Sequence, residues 1–199
     1  VKQELKKINL YKIKAICITG DSPVRSIKYS TIEDRYDARK NGRTGLPKAP
    51  LQKMSSMTWE DVKWLRDNTK LPIIIKGITN NEDYKKCRKF GVDYAWVSNH
   101  GGRVLDSGIS SLSSLSKIKK DKKTPIIFDG GVRTGTDLFK ALCLGADLVS
   151  IGRPSVWGYI LNGSEGISKI IRLFYDEFSS SLALSGCKDI NKLSRNNLL

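Results

Sequence analysis

A histidine and an arginine stand three residues apart in the segment 98–103, which has the sequence SNHGGR. His100 is the single histidine of the chain, and histidine is the usual general base near neutral pH. Arg103 can hold a carboxylate through two parallel hydrogen bonds. Although a lone histidine is usually an ordinary surface or core residue, this pair suits a substrate that carries a hydroxyl group next to a carboxylate.

Two more charged residues follow apolar runs, and the sequence leaves two interpretations open for each. Asp21 could orient His100 and stabilise its protonated ring, or it could cap the turn before Pro23. Lys76 ends an otherwise apolar run, where an ammonium group is costly unless it meets an anion. It could stabilise negative charge on a cofactor ring, or its ammonium could reach water along the apolar surface.

Two glycine-rich segments, residues 129–135 and 152–154, predict a phosphate site. Glycines let backbone N–H groups approach an anion, and a helix that begins there adds its dipole. Arg133 and Arg153 can each supply a fork of N–H donors. The alternative is a pair of ordinary glycine turns with surface arginines, but two such turns after consecutive strands favour the phosphate site.

Short apolar runs alternate with amphipathic stretches along the chain. The runs are rich in β-branched or aromatic residues and predict buried parallel strands at residues 15–19, 72–76, 94–98, 125–129 and 148–152. Helices are predicted after the capping residue Thr58 and at 81–90, 136–144 and 167–184, the last three ended by Gly91, Gly145 and Gly186. This alternation predicts βαβ units in a parallel sheet, either a (β/α)₈ barrel or an open doubly wound sheet.

Each predicted strand is followed at once by polar or glycine residues, at 19–21, 76–77, 98–103, 129–135 and 152–154. In a parallel barrel the chemistry collects at the C-terminal ends of the strands. We therefore expect these segments to meet at one rim. A complete barrel has eight strands and about 250 residues, so roughly three βα units would be missing from a barrel of this length.

Composition limits the classes of protein to which the chain could belong. With 39% hydrophobic and 28% charged residues, it is typical of soluble globular proteins. The net charge of +15 comes from lysines spread along the chain, with no nucleic-acid motif. We therefore favour a solvated lysine surface over binding of nucleic acid or an anionic membrane. The sequence shows no transmembrane run, no signal peptide and no initial methionine, so we expect a fragment or a processed product.

The cysteines are widely spaced, at Cys17, Cys87, Cys143 and Cys187. Without a CxxC pair and with a single histidine, a metal site is not expected. Cys17 and Cys143 lie in apolar runs and are predicted to be buried thiols. Reduced intracellular cysteines are the simplest interpretation of all four.

The segments, taken together, resemble the FMN-dependent α-hydroxy-acid dehydrogenase family, which includes enzymes of the glycolate oxidase and L-lactate dehydrogenase type. The matching blocks are residues 18–23, 75–78, 98–106, 129–137, 151–154 and 183–186. They occur in the family's order and cover nearly the whole chain. The SNHGGR and DGGVRTG blocks are highly specific when they occur together.

The resemblance implies an incomplete TIM (β/α)₈ barrel, about strands 4 to 8 with their helices, that forms one domain over residues 1–199. Within it, residues 42–57 are predicted to be a long mobile loop. The implied cofactor is FMN, and the implied reaction oxidises an L-2-hydroxy acid to a 2-oxo acid by hydride transfer to flavin N5. Electrons would pass to oxygen or another acceptor, the full-length family would form homo-oligomers, and the compartment would be the cytoplasm or the peroxisome.

The resemblance also implies roles for individual residues. His100 would be the catalytic base, paired with Asp21. Arg103 and Lys28 would bind the substrate carboxylate. The residues implied to contact the cofactor are Thr19, Lys76, Ser98, Asp129, Gly131, Arg133, Gly152 and Arg153.

The chain departs from the family pattern in two places. Lys28 stands where the family has an arginine, so the charge is kept but the two-pronged donor is lost. The family's first barrel strands, which carry further flavin and substrate contacts, have no counterpart after Val1. If the chain acts alone, we expect weak FMN binding and slow or absent turnover. The alternative function is a truncated, inactive remnant that still binds FMN or phosphate.

Overall fold

The computed structural model describes residues 12–24 and 57–198. Within them, five strands form one sheet: β1 (Ile16–Thr19), β2 (Ile73–Ile78), β3 (Tyr94–Val97), β4 (Ile126–Phe128) and β5 (Leu148–Val149). The helices are α1 (Trp59–Asn68), α2 (Asn81–Lys89), α3 (Ser111–Lys117), α4 (Gly135–Cys143) and α5 (Arg153–Leu184). Short 3₁₀ turns lie at His100–Gly102, Ile190–Lys192 and Arg195–Asn197. Lys28 and the predicted mobile loop, up to residue 56, lie outside the described residues.

The order of the strands decides between the two predicted sheet types. Each strand pairs in parallel with the next one along the chain, in the order β1-β2-β3-β4-β5. A doubly wound sheet reverses direction at a switch point, whereas barrel strands follow one another without reversal. The described residues therefore form an arc of a (β/α)₈ barrel, and the prediction of an incomplete barrel is confirmed.

Local sequence signals set the ends of the helices. Thr58 caps α1, and its backbone N–H donates to the Asp61 carboxylate at 2.7 Å, which completes a capping box. Thr134 and Asp137 form the same arrangement at the start of α4. After α2, Gly91 adopts a left-handed conformation with φ +68°, as expected of the residue that ends a helix.

The structure corrects two helix predictions. The helix predicted at 167–184 is the second part of the longer α5, which is broken at Asn162 and Gly163. Its two parts pack so tightly that a Cβ on Gly166 would overlap the Gly158 carbonyl oxygen. Helix α3 was not predicted, because its serine-rich sequence hides a short helix that buries Leu115. None of the helices in residues 12–24 and 57–198 is long and apolar enough to span a bilayer.

The two faces of the sheet differ sharply in burial. The face toward the helices forms the core and includes the almost fully buried Ile73, Ala95, Val97, Ile126 and Phe128. The strand register places Cys17, Ile74, Tyr94, Ile127 and Leu148 on the opposite face. In a complete barrel that face points inward and is packed by side chains from the other strands.

The predicted buried thiol at Cys17 is wrong, because the Cys17 side chain lies on the barrel-interior face and is exposed. The prediction assumed that β1 is covered on both sides. In the described residues only the helix-facing side of the sheet is covered, and Leu148 on the interior face is 54% exposed. Cys143 is buried, as predicted.

Cys87 provides a test of core packing through pH. Burial, followed by the nearby Asp83 carboxylate, raises the pKa of this thiol from 9.0 to about 12. The unfolded chain releases the proton near pH 9, whereas the folded chain keeps it until about pH 12. The thiol therefore contributes its full stability below pH 9 and loses that contribution as the pH rises toward 12.

We expect a Cys87→Ala variant to lose less stability than the parent chain as the pH rises from 8 to about 11. Urea unfolding at several pH values measures the two slopes. The loss of packed volume lowers stability equally at every pH, so only the difference in slope reports the thiol. Parallel slopes would contradict the buried, protonated state of Cys87.

Candidate active site

The strand ends line a cavity of about 360 Å³ at the C-terminal rim of the sheet. The structure brings nine of the twelve predicted site residues to its wall: Thr19, Lys76, His100, Arg103, Asp129, Gly131, Arg133, Gly152 and Arg153. Asp21 and Ser98 lie behind this wall, where each contacts one of its residues. Lys28 lies outside the described residues. The predicted convergence is therefore observed, whereas the roles of the residues stay predictions.

His100 pairs with Asp21 across 79 positions of sequence, with Nδ1 3.1 Å from Oδ1. The Asp21 side chain is only 11% exposed. Because a carboxylate only accepts hydrogen bonds, the contact fits Nδ1 as the donor, and the tautomer that makes it carries its lone pair on Nε2. This contact favours the role of Asp21 in orienting His100, one of the two roles that the sequence left open.

Gly77 leaves the room that Asp21 occupies. It has φ +106°, and a Cβ at this position would lie 2.5 Å from the Asp21 Cβ. The Gly20 N–H donates to the Lys76 carbonyl at 2.8 Å, which fixes the loop after β1 against the end of β2. The glycine after Lys76 is thus part of how the fold places the histidine's partner.

Arg103 belongs to the same turn as His100. Its Nε donates to the His100 carbonyl at 3.0 Å, and the residue lines the cavity. One donor therefore anchors the guanidinium, while the others remain available to a carboxylate. The structure thus places the predicted base and the predicted carboxylate clamp on the same side of the rim.

Lys76 meets an anion of the protein rather than bulk water, and its predicted role toward a cofactor ring stays a prediction. Its Nζ lies 3.1 Å from Asp129 Oδ2 and donates to the Ser98 hydroxyl at 2.7 Å. The ammonium also lies 5.1 Å from the centre of the Trp96 ring. The side chain is 16% exposed and lines the cavity, so it does not extend into bulk water.

The two carboxylate oxygens of Asp129 have different surroundings. Oδ2 pairs with Lys76, whereas Oδ1 is buried and has no hydrogen-bond partner among the residues that the structure describes. A buried carboxylate oxygen without a donor is unfavourable. A ligand hydroxyl in the cavity could satisfy it, and this fits the predicted contact between Asp129 and a ribityl chain.

The two glycine loops form the other end of the cavity. A Cβ built on either Gly131 or Gly152 would meet no atom within 4 Å, so the backbone there is open to a ligand. Gly152 precedes α5, whose first turn has no side-chain cap. Uncapped N–H groups at a helix start favour anions. Arg133 and Arg153 line the same wall, as a phosphate site requires.

Sequence reasoning missed Trp157, which lies against Arg133 of the predicted phosphate site. The Arg133 guanidinium lies 5.3 Å from the centre of the Trp157 ring and donates to the Val132 carbonyl at 3.0 Å. Trp157 stands four residues after Arg153, one helical turn into α5, and this spacing could have indicated that it faces the rim. Arg153 itself donates to the Gly101 carbonyl at 2.9 Å and so ties α5 to the turn that carries His100.

Across residues 12–24 and 57–198, no group of three or more His, Cys, Asp or Glu side chains is arranged to hold a metal ion. The charged groups of the cavity wall instead include the Lys76–Asp129 ion pair and the arginines Arg103, Arg133 and Arg153. Such a cavity can hold the phosphate of a ligand at one end. At its other end it can hold a small carboxylate.

Sequence comparison places the chain among flavin-dependent oxidoreductases. It matches the family described as FMN-dependent dehydrogenase over residues 1–199. It is 44% identical over 146 residues to the peroxisomal (S)-2-hydroxyacid oxidase GLO3 of Arabidopsis thaliana, and this alignment covers 72% of this chain and 40% of that protein. It is 35% identical over 212 residues to human 2-hydroxyacid oxidase 2, and this alignment covers 98% of this chain and 59% of that protein.

Structure comparison gives the same result. The recombinant flavin-binding domain of baker's yeast flavocytochrome b2 aligns with a TM-score of 0.82 and 33% identity, over 98% of this chain and 49% of that chain. A lactate oxidase of Pediococcus acidilactici aligns with a TM-score of 0.79 and 36% identity, over 98% of this chain and 55% of that chain. The chain thus spans between two fifths and three fifths of the length of these proteins.

Proposed function

This chain belongs to the FMN-dependent dehydrogenase family, and on that basis we propose that it forms the part of an enzyme that binds FMN and oxidises an L-2-hydroxy acid to a 2-oxo acid. The observation that carries the proposal is the cavity that His100, Arg103 and Lys76 share with the two glycine–arginine loops. This cavity combines a candidate base, a candidate carboxylate clamp and a candidate phosphate site.

Different residues of the cavity would contact the phosphate and the ribityl chain of FMN. Arg133, Arg153 and the open backbone at Gly131 and Gly152 would hold the phosphate. The unpaired Oδ1 of Asp129 would accept a hydrogen bond from a ribityl hydroxyl. When bound, FMN would supply the hydride acceptor, at its N5 atom, which the side chains of a protein cannot provide.

His100 would take the proton of the substrate hydroxyl. The contact of Nδ1 with Asp21 directs the Nε2 lone pair away from the carboxylate, so Nε2 is the accepting atom. Asp21 would then face a protonated imidazole, and the attraction between the two charges would stabilise that state. Arg103, on the same turn, would hold the substrate carboxylate so that the hydroxyl-bearing carbon stays beside His100.

Lys76 would balance the negative charge that the reaction places on the cofactor. Its ammonium is already held by Asp129 and Ser98, so it needs little rearrangement when that charge appears. Preorganised charge of this kind is usually a large contribution to catalysis. Thr19, which lines the same wall beside Lys76, would contact the cofactor ring.

A second candidate function is an FMN-binding chain without turnover. The exposed interior face, with Cys17 and Leu148 open to solvent, favours this candidate for the 199-residue chain studied on its own. Wet apolar surface inside a barrel weakens both packing and the exclusion of water from a flavin site. The two candidates share the binding site and differ only in chemistry.

Flavin spectroscopy tests the proposal and separates the two candidates. We expect the chain to bind FMN and quench or shift its fluorescence, and the bound flavin to lose its visible absorbance under anaerobic addition of L-lactate or glycolate. Binding without bleaching would favour the second candidate. A chain that leaves FMN fluorescence unchanged at every protein concentration would contradict both.

The identity of the hydroxy acid, the electron acceptor and the compartment stay predictions. Two relatives from Arabidopsis thaliana are named peroxisomal (S)-2-hydroxyacid oxidases, which supports the proposal of a peroxisomal or cytoplasmic enzyme of this class. We propose that oxygen or another acceptor takes up the electrons, and that the complete enzyme forms homo-oligomers.

Trp157 should contribute to cofactor affinity through Arg133. A cation–π contact at a partly exposed site contributes about 0.5–1 kcal/mol, so Trp157→Leu should weaken FMN binding about 2- to 5-fold. Trp157→Phe keeps an aromatic face and should lose less. Titration of FMN fluorescence measures the dissociation constants. Tyr159→Leu, an exposed position two residues along the same helix, is the control, and equal effects at both positions would contradict the role of Trp157.

A further inference from the structure

His100 adopts a backbone conformation that non-glycine residues rarely occupy. Its φ is +57°, in the left-handed region, and the next two residues, Gly101 and Gly102, have φ values of +65° and +72°. Glycine accepts this conformation without strain, whereas a residue with a Cβ does not. Strained backbone persists only where the surroundings enforce it, so the neighbours of His100 must supply that enforcement.

Several hydrogen bonds hold this turn, among them the backbone bond from the Gly102 N–H to the Asn99 carbonyl at 3.0 Å, and the Asn99 side chain adds a bond that links the turn to a neighbouring segment. Asn99 Oδ1 accepts from the Gly102 N–H at 3.2 Å, and Asn99 Nδ2 donates to the Ile109 carbonyl at 3.2 Å. The amide thus bridges the turn and the segment that leads into α3. The Ser98 hydroxyl also holds the turn, since it accepts from the His100 N–H at 3.0 Å.

Two residues outside the turn, Ser111 and Gly130, lie against Asn99. Its backbone N–H donates to the hydroxyl of Ser111 at 2.8 Å, and Ser111 is fully buried at the start of α3. On the other side lies Gly130, where a Cβ would be 2.2 Å from Ser111 Oγ and 2.7 Å from Asn99 Oδ1. Asn99 is therefore held from two other chain segments, at Ser111 and Gly130, while its side chain stays partly exposed.

Neither Asn99 nor Ser111 lines the cavity, so neither is placed to touch substrate or flavin. We propose that Asn99, supported by Ser111, is a positioning residue that holds His100 in its left-handed conformation and thereby aims the imidazole at Asp21 and the cavity. The inference rests on the proposed function only for its catalytic consequence. The geometric part concerns the position of the imidazole, which can be measured without turnover.

The catalytic consequence follows from how strictly a proton transfer depends on distance. A reacting group must be held within about 0.5 Å of its productive position, and a displacement of about 1 Å can lower a rate about 100-fold. Loss of the Asn99 amide would free the turn to relax toward ordinary backbone conformations. The imidazole would then leave Asp21. Arg133 and Gly131 lie on another loop, so of the predicted phosphate contacts only Arg153, through its bond to the Gly101 carbonyl, would be affected directly.

The single histidine of the chain makes the position of its ring directly observable by NMR. The ring ¹⁵N and ¹H resonances of His100 report the hydrogen bond between Nδ1 and Asp21, and an Asp21→Ala variant, which has no side-chain acceptor, supplies the reference for its loss. We expect Asn99→Ala and Ser111→Ala to shift these resonances toward the reference. Asn99→Asp keeps the acceptor for Gly102 but loses the donor to Ile109, so its resonances should fall between those of the parent chain and Asn99→Ala.

The measurement is made well below the unfolding midpoint of each variant, so that a general loss of stability does not move the resonances. Ser113→Ala, at an exposed position of the same helix, is the matched control and should leave them unchanged. If one variant fails to fold, either of the other two still decides the outcome. Parent-like resonances in the folded Asn99 and Ser111 variants would overturn the proposal.

A second arm uses the chain loaded with FMN. Asn99→Ala should slow flavin reduction by the hydroxy acid about 10- to 100-fold, whereas FMN affinity, which depends on this turn only through the contact of Arg153 with Gly101, should fall much less. A merely structural role would change affinity and rate together. If the parent chain binds FMN but is not bleached, the proposed reaction fails, and the NMR arm still decides whether Asn99 positions His100.

Discussion

Replacing His100 by alanine is expected to leave FMN bound and to slow its reduction by a 2-hydroxy acid about 10²- to 10⁴-fold. The expectation follows from the position of the ring, whose Nδ1 is held by Asp21 while the residue lines the cavity. The phosphate end of the cavity is built from Arg133, Arg153 and two glycines, and it does not include the imidazole. Affinity and reduction rate should therefore separate in this variant.

Stopped-flow absorbance under anaerobic conditions measures the rate, and fluorescence titration measures the affinity. His100→Gln is the matched control, because its amide can still donate to Asp21 but cannot accept a proton as a base. Both variants should be slow, and added imidazole should restore part of the rate in His100→Ala only, since only that variant leaves space for it. Reduction at the parent rate in either variant would exclude His100 as the base.

The capping and strand-end signals were the most reliable features of the sequence. Thr58 and Gly91 mark helix ends because the groups that satisfy a helix terminus lie within a few residues of it. The strand ends gathered at one rim because parallel strands share a direction, which an alternating sequence pattern reveals. Most of the cavity wall was therefore predictable before the structure.

Contacts between distant side chains were not predictable in the same way. That Lys76 pairs with Asp129 depends on the register of three neighbouring strands, which a single sequence does not contain. The stacking of Trp157 on Arg133 depends on how α5 crosses the loop after β4. Cys17 was misplaced for a related reason, since an apolar run shows that a strand can be buried but not which of its faces is covered.

Asn99 illustrates the remaining gap between sequence and site. It was visible within a specific motif, yet its role depends on the left-handed turn that it bridges and on Ser111, twelve residues further on. Neither feature has a periodic signature in the sequence. Local strain of this kind is a property of the folded backbone, so only the structure could draw attention to it.

The affinity for FMN should depend most strongly on Arg133. Hydrogen bonds to a charged group contribute about 1.5–3 kcal/mol, so Arg133→Ala is expected to raise the FMN dissociation constant about 10- to 100-fold. Arg133→Lys keeps the charge but loses the planar fork and much of the stacking on Trp157, and it should fall between the parent and the alanine variant. Riboflavin, which lacks the phosphate, should bind all three proteins equally weakly.

Net charge alone could produce a loss of affinity for an anion, because the chain carries a charge of +15. Arg88→Ala, which removes one cation bonded to Asp121 on the outer surface, is therefore the matched control and should leave the dissociation constant nearly unchanged. A double-mutant cycle with Trp157→Leu then tests the mechanism. If Trp157 acts by holding the Arg133 guanidinium, the tryptophan substitution should have no further effect once Arg133 is alanine. Additive losses would mean that Trp157 contributes to the site independently, and equal losses in Arg133→Ala and Arg88→Ala would place the phosphate elsewhere.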